Sequence, residues 1–260
     1  MIDSGAGTVA VTATAPLGGT LLESFHGSAG FGSMTASSGA EQKREAIWAI
    51  LAIDVSQSMI LDLSGGYRAP PHRRIDIVKA AGRDFVDVLG PDASTNIAVG
   101  VVPWARNANL GVLAPSTDSN VVTQRIDGLV ANGGATRSSA GLEAGRAQLA
   151  NAPEGARKAI VLLTDGEDNL ISAMQYCQGS QSPGCLQPRR DQCQAAKDEG
   201  IEIFTVTAMS PEQVSSTLGQ ELTACASSSA HAFLNNSDAT VLRDAFSKVA
   251  ASLMPLRLTH

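Results

Sequence analysis

Three short segments of the chain carry oxygen-bearing side chains at positions that could bind a metal ion. The candidates are two carboxylates and three hydroxyls: Asp54, Asp165, Ser56, Ser58 and Thr136. Oxygen-only ligand sets suit hard cations, and Mg²⁺ takes about six oxygens at about 2.1 Å while keeping some waters. We therefore predict a site for Mg²⁺, or for Mn²⁺ or Ca²⁺, with one coordination position left for a further ligand.

Each segment is weak evidence when it is taken singly. A D-x-S-x-S pattern arises by chance, and an aspartate or serine directly after a strand is more often a helix cap than a metal ligand. The order along the chain is more informative: D-x-S-x-S from Asp54, Gly-Gly-x-Thr ending at Thr136, and T-D-G around Asp165. Together the three segments favour a metal site over separate capping roles.

The apolar pattern around these segments predicts alternating strands and helices. Unbroken apolar runs, typical of strands buried on both faces, occupy 46–54, 96–102, 158–163 and 201–207, and a short strand is expected at 231–234. Helices are predicted at 74–89, 123–130, 138–149, 191–197, 213–225 and 239–253. This alternation predicts an α/β fold with an open, doubly wound, mostly parallel sheet and helices on both faces. Ligands of such sheets bind beyond the carboxyl ends of the central strands, where the three segments fall.

The first 45 residues differ from the rest, because they are rich in Gly, Ala, Ser and Thr. We expect residues 1–45 to form a β-rich N-terminal extension or linker. An edge strand is expected at 8–14, 21–25 could continue it, and 28–40 fits either a flexible linker or a weak strand. The main domain is predicted to cover 46–254 and a tail 255–260.

Composition excludes several classes of function. Charged residues make up 17% of the 260 residues and the net charge is −6, which argues against a phosphate-backbone binder. Aromatic residues make up only 4%, which disfavours base stacking on single strands. The longest strongly apolar run, 47–53, is too short to span a bilayer. No basic N-terminal region with a cleavage site is visible, so a signal peptide or anchor is expected to be missing or removed.

Four cysteines bear on the compartment: Cys177, Cys185, Cys193 and Cys225. An even number fits two disulfides in an exported protein, with three connectivities open. A zinc site is the competing interpretation, but no C-x-x-C pair is present and His231 lacks ligand spacing to a second histidine. Four buried thiols in a cytosolic domain are the third alternative.

The three oxygen-bearing segments together resemble the von Willebrand factor A domain and its metal-ion-dependent adhesion site. The resemblance covers roughly residues 46–254. It implies that Ser56, Ser58 and Thr136 offer hydroxyls to the metal, and that Asp54 and Asp165 bind it directly or through water. Gln57 departs from the pattern, since many members carry glycine there, and its side chain could narrow the approach to the metal.

A second resemblance is to TadG-type proteins of Flp/Tad pilus assembly. It rests on T-D-G-E from Thr164, on the order Cys193, Lys197, Gly200-Ile201, Cys225-Ala226-Ser227, on V-P-W at 102–104, and on 242–246, 256–258 and 8–16. In that family a membrane helix precedes the domain, which lies outside the inner membrane. The resemblance therefore implies a periplasmic or other extracytoplasmic protein of the cell envelope, anchored in its full-length form.

The layout of the predicted elements suggests how the cysteines pair. Cys193 lies on a helix before the strand at 201–207, and Cys225 ends the helix after it, so Cys193–Cys225 is a plausible pair. Cys177 and Cys185 would then close their own short loop downstream of Asp165, and we expect this loop to border the metal face.

The predicted site favours binding over catalysis. Two carboxylates would balance a divalent cation and leave the site near neutral, and an Asp or Glu of a protein partner could fill the vacant position. The leading hypothesis is therefore a metal-dependent, non-enzymatic protein-binding module that contacts other pilus or envelope proteins and no nucleic acid. Just past the third segment, Glu167 and Asp168 suggest a solvated acidic turn more than a second cation site.

Two alternatives remain. The first is an intracellular domain of the same fold that serves an ATPase machine, which free thiols would favour. The second is a Mg²⁺-dependent hydrolase with Asp54 as nucleophile. The hydrolase is disfavoured because the related dehalogenase-like enzymes need a second aspartate where this chain has Ser56, and because no G-x-S-x-G elbow follows a strand.

Overall fold

The computed structural model describes residues 8–16, 33–41, 46–132, 134–166, 168–208, 216–234 and 238–254. The chain divides into two compact units, Met1–Arg44 and Glu45–His260. In the first unit, strands β1 (Thr8–Pro16) and β2 (Ser33–Glu41) pair antiparallel, with Thr8 opposite Glu41 and Pro16 opposite Ser33. The expected edge strand is present, and the strand interpretation of 28–40 holds for its second part. The expected continuation at 21–25 lies outside the described residues.

The second unit is built on a six-stranded sheet and a small hairpin. Its strands are β3 (Ile47–Asp54), β4 (Ile97–Trp104), β5 (Leu113–Ser116), β6 (Arg157–Thr164), β7 (Leu170–Ser172), β8 (Gln175–Tyr176), β9 (Ile201–Thr207) and β10 (Ala232–Phe233). The sheet order is β10-β9-β6-β3-β4-β5, and every neighbouring pair is parallel except β4 and β5. Strands β7 and β8 form the separate antiparallel hairpin. The predicted open, mostly parallel α/β sheet is confirmed.

In the described ranges, six α-helices cover the sheet. They are α1 (Arg74–Leu89), α2 (Ser119–Asp127), α3 (Ser138–Leu149), α4 (Pro183–Asp198), α5 (Ser216–Cys225) and α6 (Ala239–Leu253). Short 3₁₀ turns occupy Gln57–Ile60 and Ser229–His231.

The helices lie in two layers, because the central strands are apolar on both faces. From β3, Leu51 and Ile53 point into the core formed with α1, α2 and α6, whereas Ile50 and Ala52 point into the core formed with α3 and α4. Burial on both faces is what the unbroken apolar run predicts. The strand order reverses at β3, because the chain runs from β3 to β4 on one side and returns to β6 on the other. In open sheets of this kind, such a reversal leaves a crevice at the carboxyl ends of the strands.

Several boundaries differ from the prediction, each for a local reason. Helix α2 begins at Ser119 because the Asp118 carboxylate accepts from the Asn120 and Val121 amides as an N-cap. Helix α4 begins eight residues earlier than predicted: Pro183 starts it after Ser182, and the internal Pro188 is accommodated within it. Strands β5, β7 and β8 are too short to give a periodic signal.

Candidate functional site

The first predicted segment folds back on the end of β3. Asp54 is the last residue of that strand and is fully buried. The Ser56 amide donates to Asp54 Oδ1 at 2.8 Å, so the carboxylate fixes the turn that follows it. The 3₁₀ turn from Gln57 then brings the Ser58 hydroxyl to 3.0 Å from that of Ser56.

The third segment meets the first because β6 is the parallel neighbour of β3, with Leu163 opposite Ile53. Ser58 Oγ donates to Asp165 Oδ1 at 2.8 Å, across 107 positions of the chain. Thr164, the last residue of β6, donates its hydroxyl to Asp54 Oδ2 at 3.0 Å. Four of the five predicted residues are thus joined in one hydrogen-bonded cluster.

Thr136 lies beside this cluster and is connected to it through backbone contacts. The Gln57 amide donates to the Gly134 carbonyl oxygen at 3.0 Å, which ties the second segment to the first. Gly134 has φ 77°, a conformation that favours glycine, whereas Gly133 lies outside the described residues. Thr136 is 6% exposed and is linked to the other four residues by these neighbours instead of a direct hydrogen bond.

A short segment after Asp165 holds the second loop from the other side. Asn169 Oδ1 accepts from the Thr136 amide at 2.9 Å, and the Asn169 amide donates to the Thr136 carbonyl oxygen at 3.1 Å. Asp168 accepts from the amide and the hydroxyl of Ser138, at 2.7 and 2.6 Å, at the start of α3.

The expectation of a solvated acidic turn is wrong for Asp168, because its carboxylate is buried against Ser138 and Arg189. Burial raises the pKa of Asp168, and the nearby Arg189 opposes that shift. Glu167 lies outside the described residues.

Arg74 is the site residue that sequence reasoning missed. Its Nη1 donates to Asp165 Oδ2 at 2.7 Å, and its Nε donates to the Asp62 carbonyl oxygen at 2.9 Å. The Arg74 side chain is 5% exposed and that of Asp165 is fully buried. The available signal was an arginine at the first position of a helix that begins at the carboxyl edge of the sheet.

Arg74 changes the charge of the site from the value expected. With the guanidinium in contact, two ionised carboxylates and a divalent cation would leave one net positive charge instead of a neutral site. Burial, and then the charge of Asp165, raise the pKa of Asp54 from 3.8 to about 8. A divalent cation would relieve this repulsion between buried carboxylates, so the donor set fits a hard cation.

The described residues hold no group of three or more His, Cys, Asp or Glu side chains arranged for a metal. All four cysteines are in disulfides, Cys177–Cys185 and Cys193–Cys225, which are the pairs suggested by the layout. The zinc-thiolate and free-thiol interpretations do not hold in this structure.

Within the described ranges, no helix has the length and apolar character needed to cross a bilayer.

The hairpin β7–β8 carries two exposed apolar side chains, Met174 and Tyr176. Arg106 donates to the Tyr176 hydroxyl at 2.8 Å and to the Ala173 carbonyl oxygen at 2.9 Å, so this hairpin is attached to the loop after β4.

The domain has an open, mostly parallel sheet with an oxygen-rich candidate site at the carboxyl end of β3. Its sequence matches a family with this kind of fold. Residues 49–167 match the von Willebrand factor type A domain. The fold is that of a von Willebrand factor type A domain, and the match within residues 49–167 is what the first resemblance implied. No curated protein matches the chain.

Solved structures share the fold at low identity. The von Willebrand domain of the type V pilus tip protein Mfa5 from Porphyromonas gingivalis superimposes with a TM-score of 0.64 at 14% identity, covering 84% of this chain and 99% of that one. The PilB minor pilin from Streptococcus sanguinis gives 0.64 at 17% identity, covering 88% of this chain and 66% of PilB. The pilus adhesin SpaC from Lactobacillus rhamnosus GG gives 0.62 at 17% identity, covering 82% of this chain but only 31% of SpaC.

A further neighbour bears on the metal. Proximal thread matrix protein 1 of the mussel byssus, solved with zinc in its metal-ion-dependent adhesion site, superimposes with a TM-score of 0.57 at 19% identity. The match covers 79% of this chain and 46% of that protein.

Proposed function

We propose that this domain is a metal-dependent protein-binding module of the bacterial cell envelope. The observation that carries the proposal is the hydrogen-bonded cluster of Asp54, Ser56, Ser58 and Asp165, with Thr136 held beside it. Only oxygen ligands are offered, which favours Mg²⁺, or Mn²⁺ or Ca²⁺, over softer metals.

In this proposal the ligands have different roles. Ser56, Ser58 and Thr136 offer hydroxyl oxygens, and Asp54 offers a carboxylate at the end of β3. Asp165 already accepts from Ser58 and Arg74. Asp165, like Asp54, binds the metal directly or through water, and Arg74 fixes its orientation.

The charge of the loaded site sets the chemistry of its partner. One net positive charge at the crevice attracts an anionic group, and an Asp or Glu carboxylate of another protein can supply a directional oxygen ligand. Surrounding contacts must supply most of the affinity, because a carboxylate loses its hydration on the way.

A hydrolase that uses Asp54 as nucleophile receives less support from the geometry. Both carboxylate oxygens of Asp54 accept hydrogen bonds, from the Ser56 amide and from Thr164, and the side chain is fully buried. The matched domain family and the structural neighbours indicate no catalytic family.

The pilus setting is also part of the proposal. The neighbours include a pilus tip protein, a minor pilin and a pilus adhesin, and two disulfides suit an oxidising compartment outside the cytoplasm. Together with the TadG resemblance, this supports a role in Flp/Tad pilus assembly, with the full-length protein anchored in the membrane. The disulfides count against the intracellular ATPase-partner alternative.

The metal assignment is tested by calorimetry with Mn²⁺. Asp54→Asn keeps the shape of a side chain that is protonated near neutral pH, so the fold should persist while metal binding is lost. Thr136→Val should weaken binding in the same way. If either folded variant binds Mn²⁺ like the parent, the ligand assignment is wrong.

The binding role is tested separately with envelope extracts. Immobilised parent protein should retain a partner in Mg²⁺ and release it when a chelator is added, and Asp54→Asn should retain none. If the partner is retained equally with the chelator and by the Asp54→Asn variant, the result would contradict a metal-dependent module.

A further inference from the structure

The segment 168–177 connects a disulfide to the Thr136 loop. At one end, Asn169 makes reciprocal hydrogen bonds with the backbone of Thr136, at 2.9 and 3.1 Å. At the other end, the Cys177 amide donates to the Asn169 carbonyl oxygen at 3.0 Å. The residue that positions the Thr136 backbone is therefore itself held by the first half-cystine.

The second half-cystine lies against Asp168, the residue that precedes Asn169. Cys185 lies in the first turn of α4, and its Sγ is 2.9 Å from the Asp168 carbonyl oxygen. Asp168 in turn accepts both hydrogen bonds from Ser138, where α3 begins. The Cys177–Cys185 bond thus links the hairpin that follows Asn169 to the first turn of α4, which lies against Asp168.

We propose that the Cys177–Cys185 disulfide is a positioning element of the metal site, which rests on the metal site proposed above. With the disulfide formed, Asp168 and Asn169 hold Thr136 where it can offer its hydroxyl to the cation. With the disulfide opened, the hydrogen bonds of Asn169, Asp168 and Arg106 remain, but the covalent link between the hairpin and α4 is lost, so Thr136 is held less firmly. Affinity for the metal therefore depends on the oxidation state of this one disulfide.

The two disulfides differ in access to a reductant. Cys177 is partly exposed, whereas Cys193 and Cys225 are both 3% exposed. A dithiol reductant attacks the Cys177 sulfur through one thiolate, and Cys185 leaves as a thiolate that takes up a proton. The second thiol of the reductant then displaces Cys177, so the reductant becomes a disulfide and two electrons reduce the protein to two thiols. Mild reduction should open this disulfide first.

The test compares two paired variants of the full chain by Mn²⁺ calorimetry. Cys177→Ser with Cys185→Ser should bind Mn²⁺ about tenfold more weakly or worse, the range seen when groups that orient metal ligands are removed. Cys193→Ser with Cys225→Ser is the matched control and should keep the parent affinity despite a lower melting temperature. Mild dithiol treatment of the parent should reproduce the first result and not the second.

Asn169→Ala gives an independent test with both disulfides intact. It replaces the first paired variant as the test if circular dichroism shows that the paired variant is unfolded. It should weaken Mn²⁺ binding and speed exchange of the Thr136 amide hydrogen. Parent-like affinity in either folded variant overturns the positioning proposal. A parent that binds no Mn²⁺ at all instead refutes the metal site itself, so the two failures are distinguishable.

Discussion

Arg74 and Asp165 form a buried ion pair at the carboxyl edge of the sheet, with Nη1 2.7 Å from Oδ2. The other carboxylate oxygen accepts from Ser58, so one aspartate joins a helix terminus to the turn after β3. A guanidinium at this position fixes the orientation of the Asp165 carboxylate.

Removal of Arg74 should show how strongly the pair and the cation are linked. Arg74→Met leaves Asp165 buried without its partner, which costs about 3 to 5 kcal/mol of the free energy of unfolding. Saturating Mg²⁺ should recover part of that loss, because the cation then offsets the charge of Asp165. Urea unfolding with Mg²⁺ and with chelator measures both values.

Arg243→Met provides the matched control for that experiment. Arg243 pairs with Asp84 on the surface, where its side chain is 53% exposed, so its removal should cost about 1 kcal/mol or less in either buffer. An equal loss for Arg74→Met with and without Mg²⁺ would show that the ion pair is independent of the metal site.

Thr164 should matter to the metal although it is not a proposed ligand. Thr164→Val removes the hydroxyl that donates to Asp54 and keeps the shape of the side chain. We expect about 10-fold to 100-fold weaker Mn²⁺ binding by calorimetry, since groups that orient ligands have effects of that size. Thr205→Val on β9 removes another buried hydroxyl, one that donates to the Leu222 carbonyl oxygen, and should leave the affinity unchanged.

Stability of the metal-free protein should fall as the pH rises. The pKa of Asp54 is raised from 3.8 to about 8 by burial and by Asp165, so within that interval the folded protein holds a proton that the unfolded chain has released. The contribution of Asp54 is therefore complete below 3.8 and is lost as the pH approaches 8. Urea unfolding in chelator at several pH values tests this sign.

Metal and mutation should both change that pH dependence. Mg²⁺ bound at the proposed site would displace the proton from Asp54, so it should stabilise the fold more at about pH 8 than at about pH 5. Asp54→Asn should flatten the curve, leaving the slope of the same sign that comes from the raised pKa of Asp168. A curve identical in parent and variant would exclude Asp54 as its source.

The two disulfides should differ in their effect on global stability. Cys193–Cys225 spans 32 residues and Cys177–Cys185 spans 8. Loop-closure entropy predicts losses of about 3.7 and about 2.5 kcal/mol when each pair is replaced by alanine. Chemical denaturation measures these losses, and the reverse order would show that native contacts outweigh chain entropy.

The main elements were predictable because their signals are local. Helices α1, α3 and α6 and strand β9 begin and end where the apolar spacing placed them, since each buries a continuous face. Helix α4 was predicted only for residues 191–197, whereas it begins at Pro183 and contains Pro188, a residue type that usually interrupts a helix.

The composition of the candidate site was also present in the sequence. Residue type and order alone singled out the five oxygen donors, because a hard cation restricts the choice of ligand atoms and parallel strands bring their carboxyl ends to one edge. The cysteine pairs followed from the same layout, since two helices that flank one strand can meet.

The tertiary structure alone decided the charge and support of the site. Arg74 reaches Asp165 from 91 positions away, and Asp168 turns inward to α3 instead of facing solvent. No local pattern encodes such contacts, because they depend on which side of the sheet each helix packs and on how deeply each carboxylate is buried. The sequence by itself determined which atoms are available for a cation, and only the packing of the chain decided which of them are held, neutralised or left free to bind.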